Sequence, residues 1–201
     1  MSAVGAPAGR RERTKAQNRA AILAAGREVF AELGYDAASV RDVIRRTDLA
    51  SGTFYNYFPD KESVFQALLD DSTRELRRRV QRARHEAATL EAFVGDAFLA
   101  FFSFLAEDRT MLAFMSRNAG TIHALFDDPI FGAGVDELLE DLRAAIRSGD
   151  IPEHDAEYMA AAMAGAGFEL GMRMVARDPV DAAAAAAFAT NLFLGGISRF
   201  A

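Results

Sequence analysis

A chain of 201 residues, 51% hydrophobic and 26% charged, has enough apolar material for a real core in one large domain or two small ones. It contains no cysteine, which excludes a disulfide framework and a thiolate metal site or nucleophile, and no stretch reaches the roughly 20 apolar residues of a membrane span. The net charge of −6 argues against a nucleic-acid partner until its distribution is read: through Asp60 nine Lys/Arg stand against seven Asp/Glu, and beyond it 14 stand against 22.

Met1–Gly9 is made of small residues with Pro7 and two glycines, lacks the hydrophobic stretch of a signal peptide, and reads as a tail. With the missing cysteines this fits a cytoplasmic protein. Arg10, Arg11 and Arg13 make residues 1–13 a flexible basic arm, and Lys15 and Arg19 extend its charge against Glu12 alone. From Thr14, Ala21, Ile22, Ala25, Val29, Phe30 and Leu33 recur at three- and four-residue steps, which predicts a first helix ending at a left-handed Gly34. Ser39 with Asp42 predicts a capping-box start to a short second helix, its buried side made by Val40, Val43 and Ile44. Asp48 suits a left-handed turn position, and a third helix runs through Thr53–Tyr57 to Phe58 and Pro59. Asp60 caps a fourth helix with Val64, Phe65, Leu68, Leu69, Leu76 and Val80 on its apolar face; its basic run from Arg74 to Arg84 reads as a solvated or acid-paired surface.

Further helices are predicted from about Thr89 to Ala106 and from Asp108 to Arg117, followed by a looser stretch over Ala119–Asp128. Another runs from Pro129 to Ser148, where Gly149-Asp150-Ile151-Pro152 breaks it. Two long helices, His154–Ala176 and Pro179–Phe200, close the chain; Asp178 is expected to cap the second, with Pro179 at its first position. No strand-like alternation, internal repeat or interdomain linker is visible. The fold expected is all-α: a three-helix head, residues 14–60, hinged through the fourth helix on a helical body, residues 61–201.

A short helix, tight turn and second short helix packed on a longer first helix is the layout of a helix-turn-helix. Its second helix must present polar and aromatic groups to a major groove about 12 Å wide. In Ser51-Gly-Thr-Phe-Tyr-Asn-Tyr-Phe58, the pair Phe54 and Phe58 anchors the helix, leaving Gly52, Thr53, Tyr55, Asn56 and Tyr57 on its other faces. Thr14 to Leu69 resembles the head of the tetracycline-repressor (TetR) family. The likeness rests on Phe-Ala-Glu-Leu-Gly-Tyr ending at Tyr35, Ser-Val-Arg-Asp-Val from Ser39, Gly-Thr-Phe-Tyr-Asn-Tyr-Phe from Gly52 and Asp-Lys-Glu-Ser from Asp60. The resemblance implies that Arg41 and the exposed face of Thr53–Tyr57 read bases, and that Tyr55, Tyr57 and Lys61 hold phosphates. It also takes Lys15 and the preceding arginines to the flanking backbone, and places Ser39, Ser51 and Gly52 at the same interface. Two departures stand out. Asp48-Leu49-Ala50 replaces the usual Gly-Val-Ser, which would shift the helix cap to Ser51. Ile44 stands where a small residue is common, which would alter the packing of the two motif helices.

In the body the resemblance implies that the last two helices form a four-helix homodimer interface. Small residues at Ala161, Gly165, Gly167, Gly171, Ala185, Ala189, Gly195 and Gly196 fit close helix approach, with Phe188, Leu192 and Phe193 as apolar contacts. Eight of the 16 phenylalanines lie between Phe93 and Phe131, a density that suggests an apolar effector pocket. Its expected lining is Phe98, Phe101, Phe102, Met111, Phe114, Met115, Phe126, Met163 and Phe168, with polar handles at Arg117, His123 and Tyr158 and also at Asn118, Thr121, Glu169 and Arg173. The function expected is a dimeric repressor released from a palindromic, double-stranded DNA operator by a small apolar effector such as an acyl chain or a drug-like compound. The alternative is a helix-turn-helix regulator without a small-molecule signal, controlled by a protein partner or acting as an activator. Three scattered histidines, no phosphate-cradling loop and no triad spacing point away from an enzyme, and no cofactor, metal or membrane partner is expected.

Overall fold

The computed structural model describes residues 7–123 and 129–197, and every regular element among them is a helix. In chain order these are α1 Pro7–Leu33, α2 Val40–Arg45, α3 Ser51–Tyr55, α4 Lys61–Glu86 and α5 Leu90–Ala106. They continue as α6 Arg109–Arg117, α7 Ala119–His123, α8 Pro129–Ser148, α9 Ala156–Val175 and α10 Ala182–Ile197. None of the described helices is long and apolar enough to cross a membrane.

The ends of these helices follow from side chains that satisfy otherwise orphaned backbone groups. Gly34 adopts φ 81° and donates its N–H to Phe30 O at 3.1 Å, closing α1 as its sequence position suggests. Ser39 and Asp42 form the full capping box: Ser39 Oγ accepts from Asp42 N, and Asp42 Oδ2 accepts from Ser39 N at 3.0 Å. Asp60, Thr89, Asp108 and Asp155 cap α4, α5, α6 and α9, each through its side-chain oxygen.

Five expectations are corrected. The helix expected from Thr14 begins at Pro7, so most of the arm expected to be flexible continues α1; Pro7 supplies a favourable first residue and Arg11, Glu12 and Arg13 are good helix formers. No non-glycine residue among those described has a positive φ, so Asp48 is not left-handed. The turn is instead closed by Thr47, whose hydroxyl donates to Ile44 O at 2.9 Å and accepts from Leu49 N at 3.3 Å. The cap of α3 does not pass to Ser51; Ala50 is the N-cap, without a side-chain bond. The looser stretch after Ala119 begins with the short helix α7. Finally, α10 starts at Ala182 and not at Pro179, and the residue before it, Asp181, caps it by accepting from Ala184 N at 2.9 Å.

Two apolar clusters result. The first packs Ile22, Val29 and Phe30 of α1 on Val43, Phe54, Phe58 and the α4 residues Val64, Phe65, Leu68 and Leu69. Phe30 and Phe65 meet edge to face, their ring centroids 5.2 Å apart. Met111, Phe114 and Ile122 from α6 and α7 complete this cluster, so the head core draws on residues beyond Asp60. The second cluster joins α5, α8, α9 and α10, with Phe98 stacked on both Phe102 and Phe193. The 26 residues of α4 extend about 39 Å and run past both clusters.

Candidate functional site

The first candidate surface is the outer face of α2 and α3. Arg41 and Arg45 are exposed on α2, Ser51, Gly52 and Tyr55 on α3 and Asn56 at its C-cap, with Thr53 half-buried. They point outward because the opposite faces are anchored: Val43 and Phe54 are fully buried, and Phe58 is nearly so. Tyr55 is 57% exposed, its ring edge-on to Phe54, so the aromatic is held in place while its hydroxyl faces water. Ser39 is exposed too, but its hydroxyl is engaged with Asp42, whose carboxyl is held below its usual range by that bond. Arg46 is diverted to an ion pair with Glu28 and Glu32 of α1 and leaves Arg41 and Arg45 as the outward cations of α2.

Tyr57 and Lys61 are placed differently from what their residue types suggest. The Tyr57 ring is half-buried and its hydroxyl accepts from Asn18 Nδ2 at 3.2 Å. Lys61 Nζ donates to Tyr35 O, Asp36 O and Ala38 O at 2.7, 3.2 and 3.0 Å and sits 4.6 Å from the Tyr35 ring centroid. An ammonium has three donors, and here all three tie the α1–α2 loop to α4. Lys15 is exposed on α1.

The second candidate is a cavity of about 210 Å3 within the body. Its walls come from α4 (Leu69, Ser72, Thr73, Leu76, Arg77, Val80, Arg84), α5 (Phe93, Val94, Ala97, Phe98, Phe101, Phe104, Leu105), α8 (Gly134, Val135, Glu137, Leu138) and α9 (Met163, Ala164, Gly167, Phe168). Met115 of α6 and Ile122 of α7 close one side. Gly167 and Gly171 let α9 lie close to α5. A Cβ at Gly171 would come within 2.7 Å of Leu105 Cδ1, and one at Gly167 within 3.3 Å of Phe98 Cε1.

Of the pocket residues expected from sequence, Phe98, Phe101, Met115, Met163 and Phe168 line this cavity. The other expected residues that the structure describes are not among its lining residues. Phe102 packs behind it in the second cluster, and Met111 and Phe114 lie in the head core, where Phe114 meets Phe30 and Phe65. Arg117 donates to Glu32 O at 3.0 Å, and Tyr158 is 78% exposed on the outer side of α9. Phe126 and the side chain of His123 lie outside the described residues. Asn118, expected as a polar handle, is buried in a hydrogen-bonded clamp between α1 and α6. Sequence reasoning missed the α4 wall. Its signal was present: Leu69, Ser72, Thr73, Leu76, Val80 and Arg84 continue the three- and four-residue spacing into the basic run.

That basic run is acid-paired. Arg78 and Arg79 pair with Glu75, Arg79 with Glu107, Arg77 with Glu137 and Arg84 with Asp141. The end of the body presents another apolar surface, where Phe188 and Leu192 of α10 are 59% and 52% exposed. The small residues divide by face: Gly167 and Gly171 serve contacts within the chain, whereas a Cβ at Gly165, Gly195 or Gly196 would meet open space.

Residues 22–68 match the family of bacterial regulatory proteins, tetR family. The HTH-type transcriptional regulator UidR of Escherichia coli K12 is 40% identical over 67 residues, 32% of this chain and 34% of UidR, so the match spans about a third of that relative's length. The whole fold is similar to FadR of Bacillus halodurans, with a TM-score of 0.78, 24% identity and coverage of 90% of this chain and 96% of that one. It is also similar to FadR of Bacillus subtilis, solved in complex with stearoyl-CoA, with a TM-score of 0.77, 25% identity and coverage of 88% and 98%. The helix-turn-helix head, residues 22–68, is thus that of the tetR family of bacterial regulatory proteins, and the helical body has the fold of these FadR proteins.

Proposed function

We propose that the protein is a homodimeric transcription regulator that binds a palindromic DNA operator and is released from it when an apolar small molecule enters the body cavity. The observation that carries this reading is that α4 belongs to both sites: Val64, Phe65, Leu68 and Leu69 pack the head core, and Leu69 to Arg84 of the same helix wall the cavity. A ligand that displaces α4 therefore displaces the head, and it shifts the DNA-binding equilibrium by its differential affinity for the two arrangements.

In the head, Arg41 and the exposed edge of α3, Gly52 to Asn56, are proposed to read bases, with Tyr55 and Tyr57 on phosphates and Lys15 on the flanking backbone. Lys61, whose three donors are taken by loop carbonyls, contributes its charge and the shape of the loop. Two heads would be paired through α9 and α10, whose outward face carries Tyr158, Phe188, Leu192 and the open glycines. A two-fold protein then reads two half-sites about one helical turn, or multiples, apart. The cavity's phenylalanine and aliphatic walls suit an extended hydrocarbon, and the stearoyl-CoA held by the FadR relative of similar fold supports an acyl-chain effector.

Selection of bound sequences from random duplex DNA tests the reading. A palindromic winner, bound far more tightly than random DNA and progressively released by salt, is expected. Failure to enrich any sequence, after small molecules are stripped from the protein, would contradict it.

A further inference from the structure

Among the described lining residues of the cavity, three are charged: Arg77 and Arg84 on α4 and Glu137 on α8. The two arginines are seven residues apart, two helical turns, so they project from one face. The Arg84 side chain is only 7% exposed. Its Nε lies 2.9 Å from Asp141 Oδ2, but the N–H is not aimed at that oxygen and has no hydrogen-bond acceptor. A terminal nitrogen of Arg84 stands 3.8 Å from Glu137 Oε2, too far for a hydrogen bond. Glu137 Oε1 takes two N–H groups of half-exposed Arg77, while its buried Oε2 has no donor. Glu137 thus sits between two guanidiniums and hydrogen-bonds one of them, while Asp141 balances the charge of Arg84 without taking its Nε hydrogen.

We propose that the cavity receives a monocarboxylic acid with an extended apolar tail, its carboxylate held by Arg84 and Arg77 in place of Glu137. The inference rests on the reading of the cavity as the effector site and names the head group that site selects. Guanidinium and carboxylate pair in a planar, two-bond fork, so a ligand carboxylate with freer placement than a side chain fixed to α8 gives Arg84 the alignment Glu137 does not. Glu137 is 24% exposed and turns to solvent when displaced. A cationic head would meet two guanidiniums, and an alcohol or ester offers a single neutral acceptor that neither forks two guanidinium N–H groups nor replaces the charge of Glu137. A coenzyme A thioester lacks the carboxylate altogether. The displacement also removes the Arg77–Glu137 bridge between α4 and α8, which links head-group recognition to the helix shared with the head.

The test is calorimetric titration of the full chain with dodecanoic acid, dodecanol, methyl dodecanoate, dodecylamine and dodecanoyl-CoA, all below their micellar concentrations. The acid is expected to bind at least about tenfold more tightly than each of the others, the yield of one charge-assisted hydrogen bond or more. Arg84→Gln is expected to remove that preference and leave ester affinity unchanged; Glu137→Gln, which removes the competing carboxylate, is expected to tighten acid binding. Because Arg84 is buried and its variant is at risk of not folding, Glu137→Gln stands as an independent arm: acid affinity unchanged or weakened there would overturn the proposal. Equal affinity for acid, ester and alcohol, or stronger binding of the amine or the thioester, would overturn the carboxylate assignment and leave the effector cavity standing. Binding of none of the five would overturn the effector reading itself, and this inference with it.

Discussion

Asn118→Ala is expected to loosen the seam between head and body. Asn118 is 2% exposed; its Oδ1 accepts from Tyr35 N at 2.7 Å, and its Nδ2 donates to Phe30 O and Phe114 O at 3.1 and 2.7 Å. The side chain at the C-cap of α6 therefore fastens the last turn of α1 and the loop after it. After truncation Phe30 O still accepts from Gly34 N and Phe114 O from the backbone N of residue 118, so the uncompensated group is the Tyr35 N–H. An orphaned donor costs about 1–3 kcal/mol, and the lost bonds and packing bring the total to about 2–4 kcal/mol. At about 2–4 °C per kcal/mol for a chain of this size, a mid-range loss lowers Tm by about 6–12 °C in thermal unfolding followed by circular dichroism. Asn118→Asp keeps the acceptor for Tyr35 N but sets an anionic oxygen against two carbonyls, so it is also expected to be destabilising. A Tm within about 2 °C of the parent for both variants would refute the clamp.

Three further outcomes follow from the surfaces. Phe188→Asp with Leu192→Asp is expected to give a particle of the 21.8 kDa chain mass by light scattering, where the parent gives twice that mass. Arg41→Ala is expected to lose about 1–3 kcal/mol of discrimination at one base pair per half-site, and Tyr55→Ala to weaken all sequences alike, in competition binding against single-position operator variants. Hydrogen bonds from Arg78 and then Arg79 hold the Glu75 carboxyl down at about 2 against an ordinary 4.5. Its contribution is therefore present above pH 4.5 and fades as pH falls toward 2, so Glu75→Gln should lower stability slightly at neutral pH, make no difference near pH 2, and thereby flatten the acid limb of an unfolding profile over that window.

The head was legible in the sequence because its signals are local. Gly34, the Ser39–Asp42 box, Asp60 and the Phe54–Phe58 pair each act within one or two helical turns, and each stands where its spacing placed it. The inter-helix turn was misread because Asp48 tolerates a left-handed backbone but does not need one when Thr47 supplies the bonds. The body was less legible because a phenylalanine stripe does not say which neighbour it faces. Phe98 and Phe101 open on the cavity, Phe102 on the core behind it, and Phe114 on the head. The glycines show the same ambiguity: Gly167 and Gly171 admit α5, while Gly165 and Gly196 face outward, and spacing alone cannot separate the two uses. Arg77 and Arg84 were hidden in a basic run in which Arg74, Arg78 and Arg79 are ordinary acid-paired surface.

Operator release as a function of ligand, followed by fluorescence anisotropy of the selected palindrome, tests the coupling between cavity and head most directly. Wild-type protein should release DNA as an apolar ligand is added. Ala164→Phe, which puts a ring into the cavity from α9, should bind the same DNA with parent affinity and ignore the ligand. Equal release from both proteins would place the effector elsewhere, and persistent binding by the wild type at saturating ligand would contradict the coupling through α4.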